Sequence, residues 1–405
     1  MTINASLAPA QKLNIVILGY IVRGPLGGLA WHHLQYALGL SLLGHRVTFI
    51  EDSDDYDSCY NPATGSTGRD ATYGLEFARN SFNEIGIGDC WAYHDAHSGQ
   101  WHGPRAEDAI SLCHSADLLL NLSSVNPLRE WLQQIDIRAL IDTDPVFTQL
   151  KHLQDSEAAD KAKLHTHYLS FGENINRPDC TIPTDGFNWI ATRQPVIPEC
   201  WSDYQNQPDK FRFTNIAQWD SYPAREYKGK TYGMKSASFA QFMELPDQCR
   251  HHLEIALGSN SAPRKQLESL GWKLRDSLDV TKTIQSYRDY LQHSSAEFGI
   301  SKHGYVSTHS GWFSERSINY LACGKPVVVQ DTGFQNWLNT DRGVLPFSNT
   351  EEAVHALDDV QQNYKAHCKA ALEISHEYFH YKPVLNKLIE NLHASHSDTI
   401  KVANA

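Results

Sequence analysis

The sequence predicts an α/β protein of two doubly wound lobes facing a central cleft, followed by a helical C-terminal segment. Three observations lead there. The 405 residues exceed a single domain of roughly 100–200 residues. Both halves alternate short apolar runs, bounded by Gly or polar turns, with stretches of helical periodicity. Residues 194–209 are rich in Pro, Trp and polar groups and read as a linker. We therefore expect one lobe over residues 1–195 and a second over 196–405, the latter carrying the terminal helices.

In the first half, residues 14–21 (NIVILGYI) form an apolar run typical of a strand buried on both faces. A turn containing Gly24, Gly27 and Gly28 follows, then Trp31, Leu34, Ala37, Leu38 and Leu42 recur at helical spacing. Gly44 ends that helix and residues 46–50 (RVTFI) make the next strand. Strand, glycine turn, helix and strand form a βαβ unit, which implies a parallel, Rossmann-like sheet. Residues 117–122 and 137–141 are further buried strands. Ligands of open α/β sheets lie beyond strand carboxyl ends, so Ser123-Ser124 and Asp142-Thr143-Asp144 are candidates by position. In the second half, residues 213–219, 253–257, 305–308 and 325–329 read as strands. Residues 263–270, 284–297, 314–322 and most of 351–392 read as helices.

A net charge of −12 opposes non-specific nucleic-acid binding, which needs a basic field to displace phosphate counterions. The eight cysteines form no C-x-x-C pair, which argues against zinc and redox motifs and for reduced thiols. No apolar run reaches ~18 residues and the opening residues lack a signal-peptide core, so a cytoplasmic protein is expected.

The most specific stretch is residues 303–334, HGYVSTHSGWFSERSINYLACGKPVVVQDTGF. A helix opening at Ser314 offers free backbone N–H groups and a positive dipole end, which suit a diphosphate. Arg316 in its first turn adds a fork of donors and Ser317 a hydroxyl. A cation there is opposed by the helix dipole, so Arg316 either is solvated or faces an anion. Its removal should then cost affinity while leaving stability unchanged.

The ending Ala322-Cys323-Gly324-Lys325-Pro326-Val327-Val328, with the glycine loop and GH-x-V strand of residues 24–50, resembles GT-B glycosyltransferases of the bacterial family 1 and 4 type. The resemblance touches both lobes in the right order. It implies a donor site in the C-terminal lobe and transfer of a sugar from a nucleoside diphosphate sugar to an unidentified acceptor. Asn319 stands where many retaining members carry an acid that holds the ribose, and Gly311 where they carry a second Glu. Asp331, Thr332 and Gly333 would face the donor sugar, although an Asx turn needs the same residues. Lys302 either adds a second charge on the phosphates or is a solvated lysine.

In the first lobe, Gly27 and Gly28 would let backbone approach the donor. His32 near the helix start, or Asp144, could act as general base. Asp142-Thr143-Asp144 mimics a metal-binding D-x-D but reads better as a turn before Pro145, so no metal and no resident cofactor are expected. Asp52, Asp54 and Asp55 read as a solvated rim, and Gly172-Glu173-Asn174 and Thr192-Arg193-Gln194 as polar islands of open role. Neither G-x-G-x-x-G nor a P-loop is present, which excludes those dinucleotide and NTPase signatures. A sugar-nucleotide epimerase and a non-catalytic sugar-nucleotide-binding protein remain as alternatives.

Overall fold

The computed structural model describes residues 12–201 and 210–403. Of the expected linker, 202–209 lie outside the described residues, as do the opening residues 1–11.

The apolar runs become two separate sheets. The first contains Asn14–Leu18 (β1), Arg46–Asp52 (β2), Trp91–Asp95 (β3), Gln100–His102 (β4), Leu118–Leu122 (β5), Ile137–Asp142 (β6), His167–Ser170 (β7) and Trp189–Ala191 (β8). Their spatial order is β8-β7-β6-β5-β1-β2-β3-β4, parallel except for the β3–β4 hairpin at one edge. The second sheet contains Phe213–Gln218 (β9), Leu253–Gly258 (β10), Lys273–Asp276 (β11), Ala296–Gly299 (β12), Val327–Gln330 (β13) and Val344–Phe347 (β14). Its order is β11-β10-β9-β12-β13-β14, parallel throughout. In each sheet the order reverses beside the first strand, the switch point beyond which such folds place ligands.

Two expectations for the second half need correction. Residues 284–297 are not one helix: it stops as Ile284–Gln292 (α2), and Ala296–Gly299 is the central strand β12. The polar break His293-Ser294-Ser295 separates them, and Glu297 disguises a strand of only four residues. Residues 305–308 are not a strand either; His303–Ser307 is a short helix that follows Lys302.

The lobes meet through Gly27–Leu42 (α1), which is buried along most of its length. Trp31 donates its indole N–H to the Ile284 carbonyl of α2 at 2.9 Å and stacks obliquely on Trp201. Gln35 donates to Asn319 Oδ1 at 3.1 Å and accepts from the Trp201 indole, also at 3.1 Å. Asn319 lies on Glu315–Ala322 (α3) of the second lobe. A single apolar cluster therefore runs from the first sheet through α1 to Tyr287, Phe313 and Ile318. The chain then returns: the Tyr381 N–H donates to the Val196 carbonyl at 2.9 Å, and Tyr381–Ala403 (α4) lies against α1 at Gly39.

Gly27 makes this packing possible, since a Cβ there would sit 2.3 Å from the Thr283 carbonyl oxygen. Replacing a helical Gly by Ala ordinarily gains about 0.8–1 kcal/mol. The overpacking cost of about 1–3 kcal/mol should outweigh that gain, so Gly27→Ala is expected to lower stability. Gly68→Ala, whose Cβ meets nothing within 4 Å, is the control and should melt as the unaltered protein does. Urea unfolding of both variants checks this.

Candidate active site

A cavity of about 370 Å³ lies between the lobes. Loops beyond β1, β5 and β6 supply Tyr20, Ser123, Thr143 and Asp144 from one side, joined by Leu26, Leu29 and His32 of the α1 region. The end of β9, from Ile216 to Trp219, supplies the opposite wall with Tyr287 and Trp312. Three cations face this space together: Lys235, Lys302 and Arg316.

Arg316 is where the sequence places it, in the first turn of α3, with Ser314 capping the helix through its Oγ. The anion it faces is internal. Its Nε donates to Glu297 Oε1 at 2.7 Å and one terminal nitrogen donates to the Ile216 carbonyl at 2.9 Å. Glu297 is fully buried, and its second oxygen has no hydrogen-bond partner. Burial works to lower the Arg316 pKa, but the carboxylates of Glu297 and Glu315 outweigh it and hold the guanidinium charged. The ion pair also offsets the dipole that disfavours a cation at a helix start.

Lys302 is partnered as well. Its ammonium sits 2.9 and 3.0 Å from the two oxygens of Asp144 and 2.9 Å from the Tyr222 hydroxyl, within about 5 Å of the rings of Phe147, Tyr222 and Tyr305. The hydroxyls of Tyr222 and Tyr305 both donate to Asp144, so both of its oxygens are engaged. The turn that carries Asp144 includes Val146 at a φ of 77°, rare for a β-branched residue. Lys235, which opens the short helix Lys235–Phe239, is different. Burial, then the nearby charges of Arg316 and Lys302, push its pKa down from 10.5 to about 7.

His32 lines the same space, with its Nε2 3.5 Å from Ser123 Oγ, which in turn bonds Thr143 Oγ1 at 2.8 Å. Burial lowers its pKa below 6.5, against a smaller opposing influence from Glu315, so the ring is neutral near pH 7.

Other expected site residues lie elsewhere. Asn319 is buried and committed to Gln35 and Tyr287, so it does not face the cleft. Ser317 is on the buried face of α3 and does not line this cavity. Asp331, Thr332 and Gly333 stand behind the cleft wall: Thr332 Oγ1 donates to the Trp312 carbonyl, and Gly333 N–H donates to Asp331 Oδ1 in an Asx turn. Gly27 approaches the opposite lobe, not a ligand, while Gly28 does line the cavity. Asp142 is fully buried and accepts from Thr148, Gln149, Ser170 and the Asp144 N–H, so the two carboxylates of the D-x-D do not converge. Asp52 is no solvated rim; it is buried against Arg129 and His94. Of the polar islands, Asn174 reaches the second lobe, donating to the His309 and Gly333 carbonyls, while Glu173 pairs with Arg193 and Gln194 donates to the His32 carbonyl within the first.

The sequence reading missed Lys235, Glu297 and Tyr222. Glu297 would have been found had the polar break after Gln292 been taken as a change of period. Lys235 opens a helix of only five residues and Tyr222 sits in an irregular segment, so no periodicity distinguishes either from a solvated residue.

Residues 248–390, about a third of the chain, match the family model described as glycosyl transferase-like. Solved structures similar to the whole chain include an alpha-glucosyltransferase in complex with UDP and a 13-mer DNA containing an HMU base, at 11% identity and a TM-score of 0.59, covering 94% of this chain and 100% of that one. Another is Anabaena HepE in complex with UDP and glucose, at 11% identity and a TM-score of 0.54, covering 94% and 99%. A third is the sucrose-phosphate synthase from Thermosynechococcus elongatus, at 11% identity and a TM-score of 0.52, covering 95% and 100%. No curated protein sequence matches the chain. At this identity the structural likeness speaks for the fold, which is the two-lobed GT-B arrangement. No helix among the described residues is long and apolar enough to cross a membrane.

The Arg316–Glu297 pair reverses the stability expectation drawn from sequence. Arg316→Ala strands a buried carboxylate, so unfolding free energy should fall by about 3–5 kcal/mol. The double variant Arg316→Met/Glu297→Leu should recover most of the loss, because no unpaired charge remains. Chemical denaturation of the three proteins reads both effects.

Proposed function

We propose that this GT-B glycosyltransferase transfers a sugar from a nucleoside diphosphate sugar to a neutral, hydroxyl-bearing acceptor, without a metal. The observation that carries the reading is the convergence of Lys235, Lys302 and Arg316 on one cavity between the lobes. Like charges repel in a low-dielectric cleft, and the strain shows at Lys235, which burial and its two neighbours hold near half-protonation. A diphosphate relieves that repulsion. Its charge rises as the bond from the sugar C1 to the phosphate oxygen breaks and the electron pair stays with the oxygen. Fixed cations aimed at that oxygen therefore stabilise the transition state more than the ground state. In this reading they take the part a divalent ion plays in other transferases, and no group of three His, Cys, Asp or Glu suited to a metal exists among the described residues.

The opposite wall supports the acceptor assignment. The N-terminal lobe contributes Tyr20, His32, Ser123 and Thr143 to the cavity and no lysine or arginine, which suits a hydroxyl compound better than an anionic one. With the net charge of −12, this argues against nucleic acid as acceptor. His32 is the better of the two candidate bases. It is held neutral by burial and stands beside the Ser123 and Thr143 hydroxyls, whereas both oxygens of Asp144 are engaged by Lys302, Tyr222 and Tyr305. The eight free cysteines fit a reducing cytosol, where nucleotide sugars are also available.

Lys235→Ala should weaken binding of the cognate nucleoside diphosphate about tenfold or more, the loss of one charge-assisted contact of about 1.5–3 kcal/mol. The free Lys235 pKa lies near 7 and phosphate must raise it, so binding takes up a proton. Affinity should therefore weaken as pH rises above about 7, and the slope should vanish in Lys235→Ala. Calorimetry in buffers of different ionisation enthalpy measures both. Unchanged affinity in Lys235→Ala would remove the donor site from this cleft.

A further inference from the structure

The Asp144–Lys302 contact joins the two lobes across the cavity. Asp144 follows β6 of the first lobe; Lys302, Tyr222 and Tyr305 belong to the second. The lobes are already fastened by the α1 packing, the Asn174 bonds and the Gln35–Asn319 bond. Asp144 and Lys302 are both only partly covered, with side chains 31% and 15% exposed, so water and small ligands reach them. Asp144 gives Lys302 what a phosphate would give it, two anionic oxygens at 2.9 and 3.0 Å. Both residues line the cavity that also holds Lys235 and Arg316.

We propose that Asp144 is an internal anion that competes with the nucleoside diphosphate for Lys302. This rests on the donor reading above and adds a device to it. An incoming diphosphate draws the ammonium away from Asp144. After transfer Asp144 reclaims the ammonium and thereby helps release the spent nucleoside diphosphate. Arg316 cannot serve in this way, since its partner Glu297 is fully buried and would be left uncompensated. Exchange at Lys302 costs less, because the aromatic rings of Phe147, Tyr222 and Tyr305 remain around the ammonium and the freed carboxylate keeps two tyrosine donors.

The test is a double-mutant cycle read by calorimetry and stopped-flow with uridine, guanosine and thymidine diphosphates on the full chain. Asp144→Asn keeps the shape and a hydrogen-bonding oxygen but removes the charge. It should bind the accepted nucleotide roughly five- to tenfold more tightly, mostly through slower dissociation. In a Lys302→Gln background the same substitution should change nothing. Should circular dichroism show Asp144→Asn unfolded, Asp144→Ala takes its place in the cycle. Equal or weaker binding by the Asp144 variant overturns the competition. So does a gain of the same size in the Lys302→Gln background, which would mean only that a negative charge had left the neighbourhood. Both results leave the donor reading intact. Failure of all three nucleotides to bind any of the proteins overturns that reading and the competition with it.

Discussion

Three cations held on one cleft set the terms for the rest of the site. Lys235, Lys302 and Arg316 come from three different segments, and each is kept there by a different means. Arg316 is fixed by a carboxylate with no access to solvent, so it is permanent. Lys302 is tied to a carboxylate on the other lobe, partly exposed, so its bond is exchangeable. Lys235 is pressed toward its neutral form by burial and by the other two. This gradation, from fixed to exchangeable to about half-charged near pH 7, gives a site that attracts a multiply charged ligand and still holds together alone. An even set of three unpaired ammonium groups would destabilise the fold through self-repulsion.

The second constraint is mechanical. The α1 helix belongs to the first sheet by sequence and to both lobes by packing, because Gly27, Trp31 and Gln35 all contact the second lobe. The same helix carries Gly28 and His32 into the cavity. Whatever shifts the lobes therefore shifts His32, on α1, relative to the cations, which lie on three segments of the second lobe. The return of α4 onto α1 ties the end of the described chain to the same support.

Much of the fold was legible because its signals are local. β1, α1 and β2 follow from an apolar run, a glycine turn and a helical period, and the ACG-x-PVV ending marks α3 and β13. The site was legible only in outline. Arg316, Lys302, His32, Asp144, Gly28 and Ser314 do converge on the cavity. Spacing identifies a helix face but not what lies opposite it, and so it misplaced Asn319, which meets Gln35 from 284 positions away. For the same reason the anion opposite Arg316 was assigned to a ligand when it is Glu297, on a strand too short to show its own period. The Asp331-Thr332-Gly333 turn is a supporting layer for Trp312, a role that its composition alone cannot distinguish from sugar contact.

The central claim is that the diphosphate of a sugar nucleotide lies among these three cations. A crystal structure of the chain soaked with the nucleoside diphosphate it binds tests that most directly. The account predicts phosphate oxygens within hydrogen-bond distance of Lys235 Nζ and the Arg316 guanidinium, with the Arg316–Glu297 pair intact. A diphosphate bound at the Asp331-Thr332-Gly333 turn, or anywhere beyond reach of Lys235 and Arg316, would contradict it.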